Sequence, residues 1–183
     1  MSENAERFFV ITGGPGSGKT TLLDALQARG FARSAEAGRG IIQDQLAIGG
    51  QALPWSNPAA FAELMLCWEM RSYHVALECS GMVFFDRGVP DVVGYLRLMK
   101  LDVPDYVEKV ARMFRYNRHV FVAPPWQDIF SGDRERKQDF AEAVRTYESM
   151  VTTYQDYGYE LLEIPKVPVE DRVEFMLRAA ASG

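Results

Sequence analysis

Gly13-Gly14-Pro15-Gly16-Ser17-Gly18-Lys19-Thr20, written GGPGSGKT, follows the apolar run Phe8-Phe9-Val10-Ile11-Thr12 and precedes a segment with Leu22, Leu23 and Leu26 on one helical face. The octapeptide matches G-x-x-x-x-G-K-[ST], in the strand-then-helix setting that this phosphate-binding loop requires. Each residue type has a task there. Glycines let backbone N–H groups turn inward around phosphate oxygens, Lys19 brings a point charge to the β- and γ-phosphates, and the Thr20 hydroxyl can ligate Mg²⁺. The helix that follows adds the positive end of its dipole. A glycine-rich turn of no function is the competing reading, and the flanking strand and helix count against it.

Outward from the loop, the pattern predicts alternating strands and helices. A short second strand is expected over residues 30–36, with Glu36 at its C-terminal tip. Residues 37–80 read as helical, broken at Gly49-Gly50 and at Pro54-Trp55-Ser56-Asn57-Pro58. There Asn57 can cap a helix beginning at Pro58, with Phe61, Leu64, Met65 and Trp68 as its buried stripe. Met82-Val83-Phe84-Phe85-Asp86 reads as a strand covered on both faces. Helices are expected around 90–99 and 104–114, then a fourth strand at His119-Val120-Phe121-Val122-Ala123, stopped by Pro124-Pro125. A long helix carries Phe140, Val144, Tyr147, Val151 and Tyr154, and a fifth strand over 159–164 precedes a last helix. Five strands joined by helical crossovers imply an α/β fold: a three-layer P-loop arrangement with a doubly wound parallel sheet and ligands beyond the strand C-termini.

The chain has 183 residues, 48% of them apolar and 25% charged, a composition that suits one globular domain. Residues 1–183 are expected to form that single domain, with 37–80 as a helical acceptor-binding region and 126–139 as a lid. Twenty basic against 25 acidic side chains leave a net charge of −5, no footprint for nucleic acid or an anionic membrane. Cys67 and Cys79 lack any metal or redox spacing, and no run approaches membrane-spanning length. A reduced, cytoplasmic protein is the expectation; the oligomeric state stays open.

Charged groups at the strand tips supply the remaining chemistry. Asp86 can hold Mg²⁺, directly or through water, or accept a proton from a substrate hydroxyl, or merely cap the next helix. Arg87 can grip a phosphate or sugar oxygen, or serve a structural ion pair. Glu36 can orient or deprotonate an acceptor hydroxyl, and Arg39 can pair with Glu36 or bind the acceptor. Ser131-Gly132-Asp133-Arg134-Glu135-Arg136-Lys137-Gln138 reads either as a solvated helix start or as a lid bringing Arg134 and Arg136, with Lys137 behind, onto a transferring phosphate. Trp55 and Trp126 can stack on a flat ring or pack under loops, whereas His74 and His119 read as structural.

Taken in order, GGPGSGKTT, then EAGR (Glu36 to Arg39), then FFDRG (Phe84 to Gly88), then a tryptophan and a charged lid, the chain resembles NadR-like P-loop domains, grouped with small predicted ATPases, and more broadly nucleoside and nucleotide kinases. The resemblance implies ATP and Mg²⁺ on Gly13, Gly14, Pro15, Gly16, Ser17, Gly18, Lys19, Thr20 and Thr21, Asp86 near the acceptor hydroxyl or metal, and Arg134 or Arg136 on the transferring phosphate. It also implies a small-molecule acceptor such as a nucleoside, nucleotide or nicotinamide riboside. The length is short of an AAA+ machine with its helical lid domain, and the motifs do not suggest the guanine-selecting N-K-x-D. The expected activity is therefore phosphotransfer from ATP to a small molecule; a regulatory or binding module that hydrolyses ATP slowly is the alternative.

Overall fold

Phe8 and Val10 face one side of the first strand and Phe9 and Ile11 the other, so an apolar surface must be covered on both sides of the sheet. The computed structural model describes residues 5–130 and 139–181. In chain order the elements are β1 (Phe8–Gly13), α1 (Lys19–Ala28), β2 (Ala32–Arg33), α2 (Ala37–Ile48), α3 (Pro58–Leu77), β3 (Val83–Asp86), α4 (Val89–Leu98), α5 (Asp105–Met113), β4 (His119–Ala123), α6 (Phe140–Asp156), β5 (Glu160–Glu163) and α7 (Val169–Ala181). Phe8, Val10 and Phe85 meet apolar residues of α3, α4, α5 and α6, while Phe9, Ile11 and Phe84 meet Leu22 and Leu26 of α1 and Val173 and Met176 of α7. A third cluster joins α2 to α3 through Ile41, Ile42 and Phe61.

All strand pairs are parallel, in the order β2-β3-β1-β4-β5. The three-layer, doubly wound sheet expected from the pattern is the fold observed. Its centre is β1, flanked by β3 and β4, so the chain reverses its winding there and the strand C-termini open a crevice. The sheet ends in a two-residue strand on one edge and, on the other, in β5 with Glu160 and Glu163 exposed.

Two local expectations are corrected. The strand expected over 30–36 is only Ala32–Arg33; beyond it the Ser34 N–H still donates to the Phe84 carbonyl at 3.0 Å and the Ser34 side chain accepts from the Asp86 N–H at 2.9 Å. Glu36 stands at the N-cap position of α2, with no side-chain capping bond, and is not a strand tip. On α3, Asn57 accepts from the Ala60 N–H at 3.0 Å with Pro58 first in the helix, as expected, but Leu64 is exposed. The buried face runs instead through Phe61, Leu66, Glu69 and Tyr73, closer to a four-residue repeat. Both cysteines are free thiols, the His74 ring meets Phe114 edge-on, and His119 Nε2 lies 3.3 Å from Glu160. Among the described residues, no helix is long and apolar enough to cross a membrane.

Candidate functional site

The loop after β1 is held from below by its own lysine. Lys19 Nζ donates to the carbonyl oxygens of Gly14 at 2.6 Å and Gly13 at 3.4 Å and to Ser17 Oγ at 3.2 Å, while Ser17 Oγ donates to the Gly14 carbonyl at 2.8 Å. Burial lowers the lysine pKa to about 8, with Arg87 pushing the same way and Asp86 and Glu36 opposing. Gly14 has no room for a side chain, since a Cβ there would lie 2.2 Å from the Ala143 carbonyl oxygen in α6. Gly18, at φ 82, opens α1 without a side-chain cap, leaving the first-turn N–H groups of the helix for an anion. Thr20 and Thr21 are exposed on that turn.

Register carries Asp86 to the loop: it pairs with Ile11, two residues before Gly13. Asp86 is 3% exposed, and its Oδ1 is buried with no hydrogen-bond partner among the described residues. Burial holds its carboxyl above the usual carboxylate range, with Lys19 pulling it down. An unpartnered carboxylate oxygen beside a phosphate loop fits a hard cation, which takes one or two protein oxygens and completes its shell with water and phosphate. Among the described residues no group of three or more His, Cys, Asp or Glu could cage a metal by itself. Asp86 and Thr20 are thus the residues that would hold Mg²⁺.

Arg87 follows in left-handed conformation at φ 75, its N–H donating to the Ile11 carbonyl at 3.1 Å and its Nη1 to Asp91 Oδ1 at 3.0 Å. Asp91 is the hub of this corner. It also accepts from Thr12 Oγ1 at 2.5 Å, the Gly88 N–H at 3.0 Å and the Tyr154 hydroxyl at 2.6 Å, tying β1, α4 and α6 together. A cavity of about 310 Å³ opens beside Pro15 of the loop, with Glu36, Glu69, Arg87 and Tyr95 on its wall and Trp55, 55% exposed, at its edge. Arg39 forms the expected pair with Glu36, Nε to Oε2 at 3.6 Å, and does not line the cavity. Trp126 does not line it either: its indole donates to Asp128 at 3.1 Å, and the Arg172 guanidinium lies 5.6 Å from the ring. Arg172 in turn approaches Gly18, reaching within 3.1 Å of where a Cβ would stand. Arg134, Arg136 and Lys137 lie outside the described residues.

Sequence reasoning passed over Glu69, Asp91, Tyr95 and Arg172. Glu69 had a signal: it falls at four-residue spacing in Phe61, Met65, Glu69, Tyr73, a carboxylate on a buried stripe. Asp91 sits where a first-turn carboxylate is ordinary, and Arg172 has no marker in the sequence.

The sequence matches the model of a family described as an AAA domain over residues 8–172. The chain belongs to the AAA domain family. This AAA domain shares its fold with NadR protein in complex with NR (TM-score 0.66, 16% identity, 96% of this chain and 50% of that one). It likewise resembles deoxyadenosine kinase from M. mycoides with dCMP and dCDP (0.59, 13%, 96% and 100%). Thymidylate kinase from Ehrlichia chaffeensis is a third such structure (0.58, 14%, 94% and 97%). The chain therefore spans half the length of the NadR chain. No curated protein matches it. The expected resemblance to NadR-like and nucleoside-kinase-like P-loop proteins is borne out.

Proposed function

We propose that this protein transfers the γ-phosphate of ATP to a hydroxyl of a small, unphosphorylated acceptor of nucleoside type. The observation that carries the reading is the cavity beside Pro15, which brings Glu36 and Arg87 to the mouth of a loop built around a buried lysine. Loop N–H groups and the α1 N-terminus hold the phosphates, and Lys19 keeps its charge against them. Thr20 and Asp86 hold Mg²⁺, which when bound neutralises charge on the β- and γ-phosphates. Trp126 and Arg172, at the outer end of the loop, offer a flat face and a cation to the rest of the nucleotide. Glu36, on the cavity wall, takes the proton of the acceptor hydroxyl, and Arg87, fixed by Asp91, orients that hydroxyl. Arg134 and Arg136 are proposed for the charge that develops at transfer.

Charge narrows the acceptor. Among the described residues, Glu36, Glu69, Asp91 and Glu142 line the cavity, and the one basic side chain there, Arg87, is engaged with Asp91. Among the described residues no further cation on the cavity wall is there to take a phosphate on the acceptor, so a neutral or cationic acceptor fits better than a nucleotide. The deoxyadenosine kinase and NadR likenesses go with such an acceptor and the thymidylate kinase likeness with a nucleotide, so the choice rests on the cavity's charge. Phosphorus NMR with Mg-ATP and a panel of nucleosides, nucleotides and nicotinamide riboside tests this: a new phosphoester on an unphosphorylated acceptor is expected. ATP binding without transfer to any of them would favour the slow-ATPase regulatory module. Lys19→Ala is expected to weaken ATP binding at least about tenfold, and unchanged affinity would sink the loop assignment itself.

A further inference from the structure

Two polar groups in the cavity have no hydrogen-bond partner among the described residues. Glu69, from α3, is 3% exposed and makes no hydrogen bond to any described residue, and the Tyr95 hydroxyl, from α4, is buried without a partner. Buried polar groups are hydrogen-bonded in the great majority of cases, so two orphans lining one cavity point to a ligand that satisfies both. Burial pushes the Glu69 carboxyl well above its ordinary value, and Asp91, Asp86 and Glu36 push it further while Arg87 opposes. In the protonated form that this direction favours, the Glu69 carboxyl presents an O–H donor and a carbonyl acceptor side by side.

We propose that Glu69 and Tyr95 read an amide edge, a carbonyl next to an N–H, on a flat ring carried by the acceptor. This rests on the acceptor reading above and adds the chemical feature that selects among acceptors. A neutral carboxyl and an amide are complementary in a two-bond ring, O–H to carbonyl and N–H to carbonyl, and the Tyr95 hydroxyl supplies a donor for the second lone pair of the ligand carbonyl. Phe61, whose ring meets that of Tyr95 edge-on at 5.4 Å, and Trp55 give the apolar walls that a flat ring needs. The other chemistry that this carboxyl could serve, pairing as an anion with a cationic ring, makes the opposite demand on its proton.

Titration calorimetry on the full chain with matched ligands separates these. Inosine is compared with purine riboside, which lacks the lactam, and nicotinamide riboside with pyridinium riboside, which lacks the carboxamide. The amide-bearing member of each pair is expected to bind at least about tenfold more tightly, since a site built for hydrogen bonds rejects analogues that leave it unpaired. Glu69→Gln, which keeps a donor and an acceptor, retains the preference; Glu69→Leu and Tyr95→Phe lose it. Glu69→Leu also raises the thermal midpoint of the free protein, because an unpartnered buried carboxyl destabilises the fold. Equal binding within both pairs overturns the proposal, as does a Gln variant as impaired as the Leu variant alongside tight binding of pyridinium riboside, the signature of an anion meeting a cation. A lowered midpoint for Glu69→Leu with the preference intact makes the residue structural and overturns it too. Mg-ATP binding with no riboside binding at all overturns the acceptor reading, and this proposal falls with it.

Discussion

Lys19 lies among carbonyl and hydroxyl oxygens, inside the loop proposed to receive phosphates. Its pKa of about 8 in the folded chain, against 10.5 for the free side chain, means the folded protein releases this proton first as pH rises. Below pH 8 both states are charged and burial costs on the order of 3 kcal/mol; between pH 8 and 10.5 that cost disappears, so stability from this group rises with pH. ATP affinity runs the other way, falling as pH rises past about 8 because phosphate needs the charged form. Calorimetry across pH 7–10 checks this (about three units), and Lys19→Met is expected to flatten the profile. At Asp86 the expected signature of a metal partner is different: Asp86→Asn lowers kcat about a hundredfold or more, weakens the Mg²⁺ dependence and leaves Mg-free ATP affinity within a few fold. GGPGSGKT and Asp86 were legible because their chemistry is tied to sequence-local geometry. Tyr95 and Arg172 were not, because a buried polar group is recognised by what fails to surround it, and that emerges only once α4 and α7 are placed; Glu69 was marked by its place on the apolar stripe of α3, but not by what it faces.

Among elements, the tightest constraint is where α6 meets the phosphate loop. Gly14→Ala would set a methyl group 2.2 Å from the Ala143 carbonyl oxygen, so the loop and α6 must separate. The cost is expected at about 1–3 kcal/mol, a fall of roughly 2–10 °C in thermal midpoint, accompanied by weaker ATP binding; calorimetric melting and nucleotide titration read both. Strands β1, β3 and β4 were readable from apolar runs because burial on both faces removes the alternation that would blur them. The second strand is shorter than the pattern implies for the same physical reason in reverse: an edge segment gains little from pairing, and beyond Arg33 the contact with β3 passes to the Ser34 N–H and side chain. Leu64 was misjudged because four residues of helix do not distinguish a three-residue from a four-residue step until Tyr73 fixes the face.

At the scale of the molecule, two apolar layers share one sheet, and the loop, the cavity and Asp91 all lie where α4 and α6 meet its C-terminal side. A single cooperative thermal transition is therefore expected, and Mg-ATP at about a hundred times its Kd should shift the whole transition by roughly 2.7 kcal/mol, or about 5–10 °C. A second transition, or one that ignores nucleotide, in a calorimetric scan would contradict the single-domain expectation. The doubly wound order was implied by the alternation of elements, whereas the particular sequence of strands, with β1 at the centre, depends on which neighbours each strand finds. The two margins of that sheet have a consequence for behaviour in concentrated solution. One ends after two residues and the other presents Glu160 and Glu163 outward, so neither offers the long, flat, uncharged row of hydrogen-bonding groups on which another molecule's strand could grow. Crowding this protein should raise its osmotic repulsion before it seeds fibres.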